Sequence, residues 1–128
     1  MKINTGYEGL QNEIRNMKMP RIDTWKNVYP GREYVVTMHT AEFTCICPKT
    51  GLPDFAELTV EYVPGEKCIE LKSFKDYLLR YRNLGVFHEN AVNRIFDDIV
   101  KACAPRKIKV TGLFNVRGGI KTTVTAEK

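Results

Sequence analysis

The sequence lacks the apolar segments that would place a protein in a membrane or direct it out of the cell. No apolar run approaches the roughly 20 residues that a transmembrane helix needs. The opening residues, Met1 to Glu8, contain no apolar core of the kind that a secretory signal requires. These two absences predict a cytoplasmic protein with no membrane partner.

The four cysteines do not show the spacing of a metal site. Structural zinc sites usually take their ligands from two short-spaced pairs, and the sequence has a single such pair, Cys45 and Cys47. Zinc binding would require Cys68 or His88 to complete the ligand set. Because neither belongs to a second short-spaced pair, no metal is predicted. A reducing cytoplasm opposes disulfides, and Cys45, Cys68 and Cys103 are interpreted as small core residues.

Dense basic runs, internal repeats and low-complexity tracts are also absent. The net charge of +5 favours an anionic partner such as a phosphate-bearing cofactor. Because no basic patch is interleaved with aromatic residues, direct binding to nucleic acid is not predicted. The 128 residues are expected to form one domain, residues 1–128, with an N-terminal arm at 1–32 that holds a short helix or loop.

What the sequence does contain is a strand, strand, helix, helix, strand, strand pattern. Runs of β-branched and aromatic residues, or strict alternation of apolar and polar residues, predict four strands at 32–47, 55–63, 108–116 and 120–125. The first two strands should pair antiparallel, and a short extended piece at 67–71 follows them.

The segment between the two strand pairs has helical spacing. Ser73 followed by Asp76 is typical of a helix N-cap, and Gly85 would end that helix in a left-handed conformation. A second helix is predicted over 89–103, where apolar residues mark one face and Pro105 follows the end. The elements together predict an α+β fold.

Cys47 and Asp54 are the main candidates for chemistry. Cys47 is expected at a strand end, on the same strand face as Cys45, and a turn rich in proline and glycine separates it from Asp54. A cysteine reacts as the thiolate, which the N–H groups of such a turn and the nearby Lys49 would favour, and a carboxylate can carry protons. The residues alone leave open whether Cys47 is a nucleophile or a buried structural cysteine.

Three further segments are candidates for binding. Lys72 and Lys75 lie at the start of the first helix, where they suit a phosphate or are simply solvated. Arg117-Gly118-Gly119 is typical of a hairpin turn or an anion cradle. Glu89, after His88, would accept two hydrogen bonds from a guanine-like base or complement the helix N-terminus.

Four motifs in the right order, between Asp23 and Gly119, resemble a known family. They are Glu42-Phe43-Thr44 with Cys47-Pro48-Lys49-Thr50-Gly51-Leu52-Pro53-Asp54-Phe55, then Glu70-Leu71-Lys72-Ser73-Phe74-Lys75-Asp76-Tyr77, then Arg82-Asn83 with Phe87-His88-Glu89, and Arg117-Gly118-Gly119. The family is that of the NADPH-dependent nitrile reductases, in their short single-module form. These enzymes convert 7-cyano-7-deazaguanine to 7-aminomethyl-7-deazaguanine in queuosine biosynthesis.

The resemblance implies a tunnelling fold, in which a four-stranded antiparallel sheet carries both helices on one face. Such units assemble into oligomeric barrels, commonly two stacked rings, so the resemblance implies a homo-oligomer with active sites between subunits. It also implies NADPH as the cofactor and a small 7-deazaguanine as the substrate.

The resemblance further assigns roles to residues. Cys47 matches the nucleophile that forms a covalent thioimide with the nitrile, and Asp54 matches the residue that supplies protons as two hydrides arrive from two NADPH molecules. Substrate-contacting positions of the family correspond to Ile69, Glu70, Leu71, His88 and Glu89. Positions that meet the cofactor correspond to Leu71, Lys72, Ser73, Lys75, Arg117 and Gly118. Asp76 departs from the family, which usually has leucine or tyrosine there.

The sequence is also compatible with three different functions. A sister group of the fold keeps the Cys and Asp but amidinates the same nitrile within archaeal tRNA, and it lacks the cofactor motif that Glu70, Lys72, Ser73 and Lys75 preserve here. Reduction is therefore the preferred interpretation. A non-enzymatic nucleobase- or RNA-binding module is the second possibility, and a zinc-dependent sibling of the fold, such as a pterin-forming cyclohydrolase, is the third.

Overall fold

Two antiparallel strand pairs flank a helical segment in the computed structural model, which describes residues 14–128. The strands are β1 (Thr24–Lys26), β2 (Val36–Ile46), β3 (Pro53–Val63), β4 (Lys67–Ile69), β5 (Lys107–Arg117) and β6 (Ile120–Glu127). The helices are α1 (Leu71–Leu79), a short 3-10 helix (Arg80–Asn83) and α2 (His88–Cys103). The first 13 residues of the predicted arm lie outside the described residues.

The main sheet has the strand order β2-β3-β5-β6, and every neighbouring pair is antiparallel. The predicted pairing of the first two strands and the four-stranded sheet are thus confirmed. Alternation in β3 has the expected consequence, since Ala56, Leu58, Val60 and Tyr62 are all buried while Glu57 is exposed. Both helices pack in the core cluster that contains these four side chains, as predicted.

Helix α2 supplies the largest share of that helical layer. Its apolar stripe, formed by Val92, Ile95, Ile99 and Cys103, is buried against β5 and β6. The helix ends at Cys103, one residue before Ala104 takes a left-handed φ of 43°. The predicted span of this helix is confirmed to within one residue.

The predicted ends of the first helix are wrong. Its N-cap is Glu70, whose carboxylate accepts hydrogen bonds from the N–H groups of Lys72 (2.7 Å) and Ser73 (2.8 Å). Ser73 lies inside the first turn, where its hydroxyl accepts from the Asp23 N–H and donates to the Glu70 carbonyl. At the other end, the 3-10 helix tightens the chain, and Gly85 has no positive φ.

Two strands differ from the sequence prediction. The first long strand begins at Val36 rather than at residue 32 and contains an irregularity between Thr40 and Phe43. Residues 24–26, predicted to lie in an arm or loop, form β1 and pair antiparallel with β4 in a separate two-stranded sheet. This small sheet leads directly into Glu70 and the start of α1.

A partly buried polar network joins the two helices. The Tyr77 hydroxyl donates to Asp98 at 2.5 Å, and Arg94 Nε donates to the same carboxylate at 2.8 Å. The Arg94 guanidinium also donates to the carbonyls of Ile14 and Met17, which ties the first described residues to α2.

Within residues 14–128, no helix has the length and apolar character needed to cross a membrane.

Close packing of α2 on the sheet requires glycine at position 112. A Cβ atom there would lie 2.9 Å from Val92 Cγ2 and 3.0 Å from Phe114 Cε1. We therefore expect Gly112→Ala to lower the free energy of unfolding by about 1–3 kcal/mol, as measured by urea denaturation. Gly31→Ala is the control, since a Cβ at Gly31 meets nothing within 4 Å. Equal stability of both variants would contradict this packing.

Candidate active site

The turn after β2 determines where Cys47 lies. The strand ends at Ile46, and the Cys47 N–H then donates to the Leu52 carbonyl at 2.9 Å while its own carbonyl accepts from Gly51 at 2.8 Å. Gly51 has a φ of +74°, a conformation that favours glycine. Cys47 is thus the first residue of a closed turn, one position past the last residue of β2.

The chain before α2 is tied to the same strand end. Ile46 donates its N–H to the Leu84 carbonyl at 3.0 Å, and its carbonyl accepts from Val86 at 2.9 Å, which makes a short parallel bridge at Gly85. This bridge brings the segment that leads into α2 alongside the Cys47 turn. His88, the first residue of α2, is thereby carried to the same end of the sheet.

Asp54 contacts two side chains, His88 and Arg117, that come from different elements of the fold. It is the second residue of β3, pairs with Cys45 in the sheet and is buried. Its Oδ2 lies 3.0 Å from His88 Nε2, and its Oδ1 accepts a hydrogen bond from Arg117 Nε at 3.2 Å. The His88 ring stacks on Phe114 with ring centroids 3.8 Å apart. Each carboxylate oxygen therefore has its own partner.

Arg117 reaches Asp54 from the end of β5. Gly118 and Gly119 follow it with φ values of +57° and +79°, so the chain reverses tightly into β6. The hairpin predicted at this motif is confirmed. The guanidinium also donates to the Pro53 carbonyl, the residue before Asp54.

Cys45 and Cys47 differ in acidity because their surroundings differ. Burial raises the pKa of Cys45 to about 12, so this thiol stays protonated. The pKa of Cys47 is lowered, chiefly by a hydrogen bond from the Thr50 side chain and also by the N–H groups of Thr50 and Lys49, against opposing effects of desolvation and of the Asp54 charge. The interpretation as an inert buried cysteine therefore applies to Cys45, whereas Cys47 is half-buried and has donors for a thiolate.

We expect the Thr50 hydroxyl to help lower the pKa of Cys47. The Thr50 hydroxyl accepts the Leu52 N–H at 3.2 Å, which leaves its own proton free to donate to the sulfur. Because that donor stabilises the thiolate, we expect Thr50→Val to move the midpoint of Cys47 alkylation by iodoacetamide to higher pH and to slow alkylation severalfold at neutral pH. Thr50→Ser, which keeps the hydroxyl, should titrate like the wild type. An unchanged midpoint in Thr50→Val would rule out this donor.

The remaining predicted site residues lie elsewhere in the chain. Ile69 is buried and donates its N–H to the Tyr62 hydroxyl at 2.9 Å, while Leu71 is exposed. Tyr62 is eight residues along β3 from Asp54, a separation of about 26 Å along a strand. The start of α1 is thus at the opposite end of the sheet from Cys47, and a single chain does not bring the two groups together.

Charge at the start of α1 is partly neutralised within the chain. Lys72 lies 3.3 Å from Asp76 in an exposed ion pair, and exposed pairs of this kind contribute little to stability. The N–H groups of Ser73 and Lys72 lower the pKa of Glu70, which caps the helix as a carboxylate. Lys75 is exposed on the same helix.

Glu89 is exposed in the first turn of α2, next to His88. Within residues 14–128, no group of three or more His, Cys, Asp or Glu side chains is arranged to hold a metal ion.

Two residues that contribute to the site, Thr50 and Phe114, were not predicted from the sequence. Thr50 could have been identified from the sequence, because it lies in a recognisable turn three residues after Cys47. No local sequence pattern marks Phe114 as the partner of His88.

The chain is similar to known proteins of a single enzyme family. A family model described as QueF-like protein matches residues 53–128. A protein of Elusimicrobium minutum named NADPH-dependent 7-cyano-7-deazaguanine reductase is 51% identical over 112 residues, which cover 88% of this chain and 84% of that protein. The chain belongs to the 7-cyano-7-deazaguanine reductase family. The resemblance inferred from the motifs is confirmed.

Further members of the reductase family are similar to the same degree. The protein of that name from Chlorobaculum tepidum is 55% identical over 81% of this chain and 89% of its own length, and the one from Anaeromyxobacter sp. is 56% identical over 82% and 86%. A crystal structure of an archaeosine synthase QueF-Like in the apo form superimposes with a TM-score of 0.68 at 26% identity, over 73% of this chain and 92% of that one.

Proposed function

We propose that this chain reduces the nitrile of 7-cyano-7-deazaguanine to an aminomethyl group with two NADPH, in queuosine biosynthesis. Family membership supports the reaction. The observation that carries the mechanism is the pairing of a cysteine whose pKa is lowered, Cys47, with the buried carboxylate of Asp54 at one sheet end. We propose the cytoplasm as its location.

In the proposed mechanism Cys47 is the nucleophile. Its sulfur attacks the nitrile carbon, and the proton that leaves the thiol ends on the nitrile nitrogen, which gives a covalent thioimide. Asp54 is proposed to carry that proton, because a carboxylate can accept and return a proton and this one is held by His88 and Arg117 at the same sheet end as Cys47. Formation of the thioimide turns an unreactive nitrile into a C=N group that can accept hydride.

Substrate recognition is assigned to the residues around α2 and the start of α1. Glu89 suits the two N–H donors of a guanine-like edge, because a carboxylate accepts two parallel hydrogen bonds. His88 contacts Asp54, its ring is fixed by stacking on Phe114, and it is proposed to contact the substrate. Ile69, Glu70 and Leu71 are proposed to complete the pocket.

The residues fit NADPH as the cofactor by charge. Lys72, Lys75 and Arg117 are cations with exposed or half-exposed side chains, which suits the phosphate groups of a dinucleotide. Leu71, Ser73 and Gly118 are proposed to contact it through the adjoining backbone and side chains. Two NADPH molecules, when bound, would each supply one of the two hydrides of the reaction. Asp76 places a negative charge next to this proposed phosphate contact of Lys72.

We propose that the chain is one tunnelling-fold domain that assembles into a ring-like homo-oligomer. The separation of Asp54 from the start of α1 supports active sites between subunits, since a second chain could bring the two groups together. Subunits could pair through the edges of the sheet, because β2 and β6 are edge strands with one partner each among the described residues. Nucleic acid is not proposed as a direct partner.

The competing function is amidination of the nitrile in tRNA. The structural similarity to an archaeosine synthase is the observation that favours it. The test is to follow NADPH absorbance with the purified protein and 7-cyano-7-deazaguanine as the free base, and in parallel to follow the mass of the modified nucleoside in nitrile-bearing tRNA incubated with an ammonia donor and no NADPH. We expect oxidation of two NADPH per free base and no reaction on tRNA. Modification of tRNA without NADPH would replace our proposal with the competing one.

A further inference from the structure

Arg117 makes two contacts with the segment that carries Asp54. Its Nε donates to Asp54 Oδ1 at 3.2 Å, and another of its nitrogens donates to the Pro53 carbonyl. The Asp54 side chain is only 10% exposed, whereas that of Arg117 is 51% exposed. The guanidinium therefore covers the open side of the carboxylate and holds the backbone just before it.

We infer that Arg117 is a positioning residue for Asp54 in the attack of Cys47 on the nitrile, a step that consumes no hydride. This inference rests on the proposed function. It adds a role for Arg117 that a phosphate contact does not include.

The geometry around Asp54 explains why two partners are needed. His88 contacts Oδ2 only, and its ring is fixed by stacking on Phe114. A single contact leaves the carboxylate free to turn about its last bond, while a second contact on Oδ1 fixes its plane. Arg117 supplies this contact from β5, so the two oxygens are held by different elements of the fold.

The step in which Arg117 takes part needs no oxidant or reductant. A bond forms between Cys47 sulfur and the nitrile carbon, one π bond of the C≡N group breaks, and the thiol proton moves to the nitrogen by way of Asp54. A carboxylate in the wrong orientation would carry this proton poorly. The loss of Arg117 should therefore appear in thioimide formation without NADPH.

The experiment measures thioimide formation by intact-protein mass spectrometry of quenched samples, with 7-cyano-7-deazaguanine and no NADPH. We expect Arg117→Gln to lower the limiting rate at saturating substrate by about tenfold or more, with little change in the half-saturating substrate concentration. Arg117→Lys should recover part of the rate, because it keeps the charge. Lys121→Gln, which removes an exposed cation from the same hairpin, should react like the wild type.

The outcomes separate this inference from the proposed function. If the wild type forms no adduct, the proposed covalent function fails. If wild type and Arg117→Gln form adduct at the same rate, the covalent function stands and the positioning role is overturned, and Arg117 is then a cofactor contact only. An equal loss in Lys121→Gln would also overturn it, since charge alone would explain the effect.

Discussion

Cys47→Ala is expected to abolish both thioimide formation and NADPH oxidation, to below about a thousandth of the wild-type rate. The reason is that no other thiol can take its place. Cys45 is two residues away but buried, and burial raises its pKa to about 12. Cys68 and Cys103 are also buried. Steady-state NADPH absorbance and intact-protein mass measure the two losses.

The control for this variant is Cys103→Ala at the end of α2. It removes a buried thiol that has no part in the proposed site, and it should keep the adduct and the turnover while lowering stability slightly. Substantial NADPH oxidation by Cys47→Ala with the nitrile substrate would mean that reduction does not pass through a cysteine adduct.

Asp54→Asn is expected to lower the limiting rate of reduction by about 100-fold or more, which is the usual contribution of a positioned proton carrier. Asparagine has nearly the same shape, its amide oxygen can accept from Arg117, and its NH2 group can donate to His88 Nε2 when that nitrogen carries no proton, so the fold should be preserved. It cannot carry a proton. The change should therefore appear in the limiting rates of adduct formation and reduction more than in substrate affinity.

Asp97→Asn is the matched control for Asp54→Asn. Asp97 is exposed on α2, and its neutralisation should leave the rates unchanged. Wild-type rates in Asp54→Asn at neutral pH would show that water or another group carries the proton, and the role assigned to Asp54 would have to be abandoned.

Much of the fold is predictable from local pattern because each element buries one face. The alternation in β3 and the apolar stripe of α2 are signals of this kind, and both elements have nearly the predicted spans. The start of α1 is different. Serine is a stronger N-cap by preference than glutamate, but Glu70 takes the cap because Ser73 is used to hold the Asp23 N–H. Short β1 depends on its partner β4, and no local pattern marks it.

In the site, too, some contacts follow from nearby sequence and others depend on distant residues. Cys47 and Asp54 are seven positions apart and joined by a turn that proline and glycine mark, so their proximity follows from sequence. His88 and Arg117 reach Asp54 from 34 and 63 positions away. Such contacts depend on how the helices and hairpins pack, and neither the contact of Arg117 with Asp54 nor the orientation of His88 has a local signal.

The central claim is that this chain binds its nitrile substrate covalently through Cys47. The most direct measurement is the intact mass of the protein after incubation with 7-cyano-7-deazaguanine alone. We expect that wild type gains the mass of one substrate molecule, that Cys47→Ala gains none, and that added NADPH removes the adduct. An unshifted wild-type protein that still oxidises NADPH with this substrate would contradict the claim.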